Sequence, residues 1–216
     1  MNILDGKNLI NIDSLQLENI VAGFDKICVD IGTGDGRNIY RKAKAEPGTF
    51  FIGIDPVKDN MEEIAVKLNK KPEKGGLKNV ILAVAAAENM PPELHRIADT
   101  VTVLFPWGIL LEGVVKPIDE FIDAVAETAK NGGKFEFITT YSPAYEENTI
   151  ETRAMPELSI DYFNGEYTDI LKKHGLIVES VEMLDNEFVK GFDSKWARRL
   201  AFGRKRDFYR ITGSVL

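Results

Sequence analysis

A glycine-rich turn between a strand-like run and a helix-like run constrains the fold of this chain more than any other feature. Residues 26–29 (KICV) are apolar enough to form a buried strand, and residues 37–43 (RNIYRKA) are compatible with a helix. Between them, alternating glycines at Gly32, Gly34 and Gly36 allow the backbone to adopt positive φ. The pattern predicts the first strand-to-helix turn of a doubly wound α/β sheet, where such folds bind nucleotides.

The acids around these glycines indicate the charge of the ligand. Asp30 precedes the G-x-G-x-G run and Asp35 lies within it. A dinucleotide would place its pyrophosphate over the helix N-terminus, where two carboxylates would repel it. The same carboxylates suit the ammonium and sulfonium groups of S-adenosylmethionine, which we predict as the cofactor. Asp55 ends the second predicted strand, at the spacing expected for an acid that binds ribose hydroxyls. A glycine-rich turn with a helix-capping aspartate is the alternative.

Length and composition allow one α/β domain. The chain has 216 residues and is 44% hydrophobic, which is enough for one well-buried domain and too little for two ordinary ones. Its single cysteine, Cys28, lies in the first predicted strand and indicates a reducing compartment. No apolar run approaches the roughly 18 residues of a membrane span, and the first residues lack the pattern of a signal peptide. We therefore expect a cytoplasmic protein without a membrane partner.

Strand-like and helix-like segments alternate along the chain. We predict strands at residues 26–29, 50–54, 80–86, 100–105, 135–140, 177–183 and 208–214, and helices at residues 57–71, 114–130 and 160–174. A short N-terminal hairpin is expected within residues 1–13, an inserted loop at about residues 142–156, and a basic segment at about residues 185–206. The pattern predicts a single domain over residues 1–216 with the Rossmann-like, mostly parallel, seven-stranded sheet of class I S-adenosylmethionine-dependent methyltransferases.

The basic residues are segregated, although the formal net charge is −7. One cluster contains Lys67, Lys70, Lys71, Lys74 and Lys78, and another contains Lys195, Arg198, Arg199, Arg204, Lys205 and Arg206. A solvated helix or loop face would explain the first cluster alone. Two clusters beside the strands of the ligand site favour phosphate binding, because binding depends on the local field rather than on net charge.

Two tryptophan segments indicate the methyl acceptor. Residues 104–107 (LFPW) end the fourth predicted strand, which faces the transferable methyl group in this fold. Methyltransferases of exocyclic base nitrogens carry an Asn/Asp-Pro-Pro-aromatic run there, and the polar side chain binds the amine. Here Phe105 occupies that first position and has no hydrogen-bond acceptor. A ring nitrogen with a free in-plane lone pair can attack the methyl group without losing a proton first, so the site has only to orient it. Trp107 and Trp196, the second of which lies among basic residues, are therefore predicted to stack on the two faces of an extruded purine. Core packing is the alternative for either tryptophan.

Taken together, these segments resemble the aminoglycoside-resistance 16S rRNA methyltransferases that modify N1 of adenine 1408 in the decoding site. The resemblance runs nearly end to end and is carried by residues 30–40 (DIGTGDGRNIY), 52–56 (IGIDP), 85–88 (AAAE), 104–108 (LFPWG) and 194–206 (SKWARRLAFGRKR). The glycine motif alone indicates only the superfamily, whereas the two tryptophan segments indicate the family.

The resemblance implies three groups of site residues. The residues implied to line the cofactor pocket are Asp30, Gly32, Asn38, Asp55, Ala87, Glu88, Leu104, Trp107, Ile109 and Ser194. Trp107 and Trp196 are implied to stack on the flipped adenine. The residues implied to contact rRNA are Lys67, Lys70, Lys71, Glu146, Arg153, Arg199, Arg204 and Arg206, the last beside the extruded base. Ile109 departs from the family, which carries a small hydroxyl residue at this position. The implied partner is the 30S ribosomal subunit. We also predict a monomer, because the ribosomal surface is already large, and no DNA or membrane partner.

Two alternatives remain open, and no metal is expected. Neither His95 nor His174 has other ligands at metal-binding spacing. The enzyme could instead methylate tRNA or a small molecule, or the chain could be a non-catalytic rRNA-binding factor on the same scaffold. Asp30, the glycine run and Asp55 weigh against the last alternative, because RNA binding alone does not require them.

Overall fold

A computed structural model describes residues 1–141, 155–202 and 206–216. Within these ranges, nine strands form one sheet in the order β2-β1-β5-β4-β3-β6-β7-β9-β8. The strands are β1 (Asn2–Asp5), β2 (Asn8–Asn11), β3 (Lys26–Ile31), β4 (Thr49–Asp55), β5 (Val80–Val84), β6 (Ala98–Leu104), β7 (Ala129–Thr139), β8 (Leu176–Leu184) and β9 (Phe208–Val215). The helices are α1 (Ser14–Val21), α2 (Arg37–Ala45), α3 (Lys58–Leu68), α4 (Ile109–Val115), α5 (Asp119–Thr128), α6 (Ile160–Asn164), α7 (Glu166–Lys173), α8 (Asn186–Lys190) and α9 (Lys195–Ala201).

The centre of the sheet is parallel, as predicted. Strands β5, β4, β3, β6 and β7 pair in parallel, and β9 runs antiparallel between β7 and β8. The prediction of seven strands was too low, because the N-terminal hairpin joins the sheet through antiparallel pairing of Ile3 with Ala83. Ile3 and Leu4 are buried there, whereas β2 is exposed along its length at the sheet edge. The main class, an α/β sheet of the methyltransferase type, is confirmed.

Two of the predicted helices are each divided in the structure. The predicted helix at residues 114–130 is α4, which begins earlier at Ile109, followed by α5, with Pro117 between them. Proline has no backbone N–H to continue the helical hydrogen bonds, so the helix is interrupted there. The predicted helix at residues 160–174 is divided into α6 and α7 at Gly165, whose φ of −95° and ψ of −129° are not helical. Both errors arise because apolar periodicity continues across a local break.

Helices cover both faces of the central strands. Helices α2 and α3 pack on one face, through side chains such as Ile39 and Met61. Helices α1, α4, α5, α6 and α7 pack on the other, through side chains such as Leu17 and Phe121. Because both faces are buried, the polar groups of a ligand site can gather only at the ends of the strands. In the described part of the chain, no helix is both long enough and apolar enough to span a membrane.

Candidate active site

A cavity of about 1430 Å³ opens where β3, β4, β5 and β6 end. Every residue predicted to hold the cofactor lines this cavity: Asp30, Gly32, Asn38, Asp55, Ala87, Glu88, Leu104, Trp107, Ile109 and Ser194. Trp196, Arg199 and Arg206 line it as well. The fold therefore brings three parts of the chain, from β3 to β4, from β5 to α4, and around α9, to one concave surface.

The glycine loop after β3 forms the floor of this cavity. The backbone N–H groups of Gly32 and Thr33 donate to the Ile54 carbonyl at 2.8 and 2.9 Å, which ties the loop to β4. Gly32, Gly34 and Gly36 have φ of 77°, 61° and 70°. A Cβ atom on Gly32 would lie 2.4 Å from Leu110 Cδ2. The loop therefore follows a path that side chains rarely adopt, and the prediction of positive φ is confirmed.

Asp55 links the glycine loop to the start of α3. Its Oδ2 accepts from Gly34 N at 3.0 Å, and its Oδ1 accepts from Val57 N at 2.9 Å. Burial raises the pKa of Asp55 above its ordinary value, and these backbone bonds and the Asn60 side chain act in the opposite direction. A carboxylate oxygen has more than one lone pair, so each oxygen can also accept from a ribose hydroxyl. Asn60 of α3 was not predicted from the sequence, because a helix residue after the motif has no distinctive pattern.

Asp30 and Asn38 each place a buried acceptor on the cavity wall. Thr102 Oγ1 donates to Asp30 Oδ1 at 2.5 Å. Burial raises the pKa of Asp30, opposed by the charge of Lys42 and by hydrogen bonding. Within the described residues, the buried Asn38 Oδ1 has no hydrogen-bond partner. A buried acceptor without a donor costs free energy, so this site suits a ligand that carries N–H groups. The ammonium group of S-adenosylmethionine fits this requirement.

Trp107 and Trp196 meet at the mouth of the cavity. Their ring centroids are 5.1 Å apart with an interplanar angle of 69°, which is an edge-to-face contact. Trp107 is 56% exposed, and the guanidinium carbon of Arg199 lies 5.8 Å from the Trp196 ring centroid. A base between the two rings would require them to separate and become parallel. The rings are therefore adjacent, and their stacking on a flipped base stays a prediction.

Phe105 directs Trp107 toward the cavity. It has φ of 53°, its N–H donates to the Ile138 carbonyl at 2.7 Å, and its buried ring packs edge-on against Phe192. Positive φ in a bulky residue costs roughly 1–3 kcal/mol and persists only where surrounding contacts enforce it. The turn out of β6 is thus fixed by packing around Phe105. The sequence pattern identifies Phe105 only as a missing acceptor, because backbone strain has no local signature.

The predicted rRNA contacts do not all lie near the cavity. Arg199 and Arg206 line it, whereas Lys67, Lys70 and Lys71 lie at and beyond the other end of α3. That helix has 11 residues and is therefore about 16 Å long. The predicted contacts Glu146, Arg153 and Arg204 lie outside the described residues. Among the described residues, no group of three or more His, Cys, Asp or Glu side chains is placed to hold a metal ion.

The fold and this site define a class I S-adenosylmethionine-dependent methyltransferase. Within that class, the chain belongs to the 16S rRNA (adenine(1408)-N(1))-methyltransferase family, whose NpmA model matches residues 2–215. The chain is 50% identical, over 100% of its length and 99% of the relative's, to a 16S rRNA (adenine(1408)-N(1))-methyltransferase of Escherichia coli. The resemblance predicted from the sequence is thereby confirmed.

Solved structures show the same relationship. An antibiotic-related methyltransferase superimposes with a TM-score of 0.90 at 48% identity, covering 99% of this chain and 100% of that one. A variant of the 16S rRNA (adenine(1408)-N(1))-methyltransferase from Catenulisporales acidiphilia, with its cosubstrate SAM, superimposes with a TM-score of 0.91 at 34% identity. That comparison covers 100% of this chain and 97% of the other.

Proposed function

We propose that this protein transfers the methyl group of S-adenosylmethionine to N1 of adenine 1408 of 16S rRNA in the 30S subunit, and so confers aminoglycoside resistance. One observation carries the proposal: a single cavity combines the acids and glycines suited to this cofactor with two adjacent tryptophans and two arginines at its mouth. Membership of the family supports the choice of substrate.

The cofactor is proposed to lie along the carboxyl ends of β3, β4 and β5. Asp30 and Asn38 would accept from the ammonium group, and Asp55 would accept from the ribose hydroxyls. Ala87 is small enough for close approach of the adenine, and Glu88 can accept from its exocyclic amine. When bound, S-adenosylmethionine supplies an electrophilic methyl group. Gly32, Leu104, Ile109 and Ser194 complete the proposed pocket wall.

The target base is proposed to enter between Trp107 and Trp196. N1 of adenine attacks with its ring lone pair, so no side chain has to remove a proton first. The contribution of the protein is then orientation of the base and exclusion of water. The methylated base is cationic and remains attracted to the faces of the tryptophan rings. This accounts for a site with two aromatic rings and no acceptor side chain at Phe105.

The 30S subunit is the proposed partner, recognised through phosphates. Arg199 and Arg206 would contact the backbone near the extruded base, and Lys67, Lys70 and Lys71 would contact it further away. Glu146, Arg153 and Arg204 remain predicted contacts. We further propose that the chain acts as one domain and as a monomer in the cytoplasm, where 30S subunits occur, with no DNA or membrane partner.

Incubation of purified 30S subunits with labelled S-adenosylmethionine tests the function. Label should enter 16S rRNA, and primer extension should stop at adenine 1408 because N1 methylation blocks base pairing. In a parallel incubation with purified tRNA, label that enters tRNA but not 30S subunits would favour the alternative of a tRNA methyltransferase. Binding to 30S without any transfer of label would favour a non-catalytic rRNA-binding factor.

The lysine cluster at the end of α3 allows a separate prediction. Replacing Lys67, Lys70 and Lys71 together by Glu should weaken 30S binding and flatten its salt dependence, because each lost phosphate contact reduces counterion release. The logarithmic salt slope should fall by roughly 0.7–0.9 per lost contact. Affinity for S-adenosylmethionine should not change, since these lysines lie away from the cavity.

A matched charge reversal controls for the change in net charge. Lys134 of β7 and Lys172 and Lys173 of α7 are exposed and lie on elements remote from α3 in the sheet order and in the helix layers. Their replacement by Glu should therefore leave most of the 30S affinity intact. Equal losses in the two triple variants would show that only the net charge matters. An unchanged salt slope in the first variant would make the cluster a solvated surface.

A further inference from the structure

Asp35 connects two parts of the site that are far apart in sequence. Its Oδ2 accepts from the backbone N–H of Lys195 at 3.3 Å, across 160 positions of the chain. Its Oδ1 accepts from the backbone N–H of Arg37 at 3.2 Å. Lys195 is the first residue of α9 and immediately precedes Trp196. The carboxylate thus bridges the glycine loop and the first turn of the helix that carries one tryptophan.

A chain of charged groups holds this carboxylate in place. Arg37 Nε lies 3.5 Å from Asp35 Oδ2, and Arg37 Nη2 donates to both carboxylate oxygens of Glu63 on α3 at 2.6 and 2.5 Å. This series of hydrogen bonds and ion pairs therefore connects α3, the start of α2, the glycine loop and α9 along the side of the cavity. Asp35, Glu63 and Lys195 all line that cavity.

The rest of α9 is held in a different way. Ala197 and Leu200 are buried in an apolar cluster with Phe105 and Phe208, which anchors one face of the helix. In the first turn, Ser194 Oγ accepts from Ala197 N at 2.9 Å, which is a contact within the same segment. The bond to Asp35 is different in kind, because it joins this turn to the cofactor loop. The orientation of Trp196 should therefore depend on the shape of that loop.

We propose that Asp35 is a positioning residue that couples the cofactor loop to the first turn of α9, so that Trp196 is placed for the target base when the loop is ordered. The inference rests on the proposed function and extends it to a residue to which the resemblance assigns no contact with base or cofactor. Coupling of this kind is reciprocal. Cofactor that orders the loop also orders the first turn of α9, and loss of the link uncouples the two.

Hydrogen exchange tests the link directly. In Asp35→Ala, backbone amides in residues 193–201 should exchange about tenfold faster, because the first turn opens more often. S-adenosylmethionine should slow exchange in this segment of the parent protein and have little effect on it in the variant. Asp35→Asn should give an intermediate result, since the amide retains one acceptor oxygen. Asp25→Ala, which removes an exposed acid before β3, is the matched control and should behave as the parent.

Kinetics distinguish positioning from direct cofactor binding. Turnover of Asp35→Ala on 30S subunits should fall by about tenfold or more, because small misplacements near the chemistry are costly. The KM and Kd for S-adenosylmethionine should stay within about threefold of the parent. Unchanged exchange in residues 193–201 would overturn the proposal. A loss of cofactor affinity as large as the loss of turnover would also overturn it, because Asp35 would then be a cofactor ligand.

The exchange measurement keeps this test separate from the test of the proposed function. A parent protein that does not methylate 30S subunits would contradict the function, whereas the exchange of residues 193–201 with and without S-adenosylmethionine would still decide the coupling. Melting temperatures of both Asp35 variants, measured beside Asp25→Ala, show whether the folded state is intact. Accelerated exchange over the whole chain, rather than in this segment, would indicate general destabilisation and overturn the proposal.

Discussion

Replacement of either Trp107 or Trp196 by alanine should lower methylation of 30S subunits by roughly fivefold to 150-fold, and weaken aminoglycoside resistance with it. Binding of S-adenosylmethionine should stay close to the parental level in Trp196→Ala and should fall less than methylation does in Trp107→Ala, because Trp107 also lines the predicted cofactor pocket. Each change removes one stacking face, worth roughly 1–3 kcal/mol per base. Trp107 is 56% exposed, so its truncation should change the melting temperature little. Trp196 packs partly against the apolar cluster around Phe208, so its truncation should lower the melting temperature more. Phenylalanine at either position should retain part of the activity.

Phe202→Ala provides a matched control for the loss of an aromatic ring. Phe202 is 70% exposed, follows α9 directly and does not line the cavity. Methylation at the parental rate by both tryptophan-to-alanine variants would contradict the stacking of the target base between the two rings. Losses of roughly 3–5 kcal/mol in unfolding free energy, typical of core aromatic truncation, would instead support a packing role. Assays of methylation, calorimetric titration and thermal melting on the same variants separate these outcomes.

Asp55→Ala should lower affinity for S-adenosylmethionine by roughly tenfold to a hundredfold, because ribose hydroxyls left without an acceptor cost roughly 1–3 kcal/mol. The structure adds a second effect, since Asp55 also accepts from Gly34 N and Val57 N. Asp55→Asn retains the shape and one acceptor oxygen, so its loss of affinity should be smaller. Calorimetric titration measures both, with Asp25→Ala as the control. Unchanged affinity for S-adenosylmethionine in Asp55→Ala would show that Asp55 does not bind the ribose hydroxyls.

The raised pKa of Asp55 gives this binding a pH dependence with a defined sign. Burial raises the pKa of this carboxyl group, so its protonated form becomes populated at a higher pH than for an exposed aspartate. Protonation removes acceptor capacity, so affinity for S-adenosylmethionine should fall as the pH drops toward the raised pKa. Asp55→Asn should lose part of this dependence, because asparagine does not titrate. Asp30, whose pKa is also raised by burial, should account for the remainder.

The parts of the site that depend on local backbone requirements were predictable from the sequence. Positive φ at Gly32, Gly34 and Gly36 is required within a few residues, so the spacing of glycines alone indicates the turn. Asp55 follows an apolar strand, so the rule that parallel strands end at one edge places it beside that turn. The predicted helices at residues 114–130 and 160–174 were less accurate, because periodicity does not register breaks at Pro117 and Gly165.

The sequence by itself therefore determined the class of fold, the cofactor loop and the predicted cofactor residues, all of which line the cavity, whereas Asn60 of the same cavity was missed. Only the tertiary structure decided that the hairpin extends the sheet through Ile3, that Trp107 and Trp196 touch edge to face, and that Asp35 bonds to Lys195. The physical reason is the range of the interactions. A turn or a strand end is set by neighbouring residues, whereas a contact across 160 positions depends on how every intervening element packs.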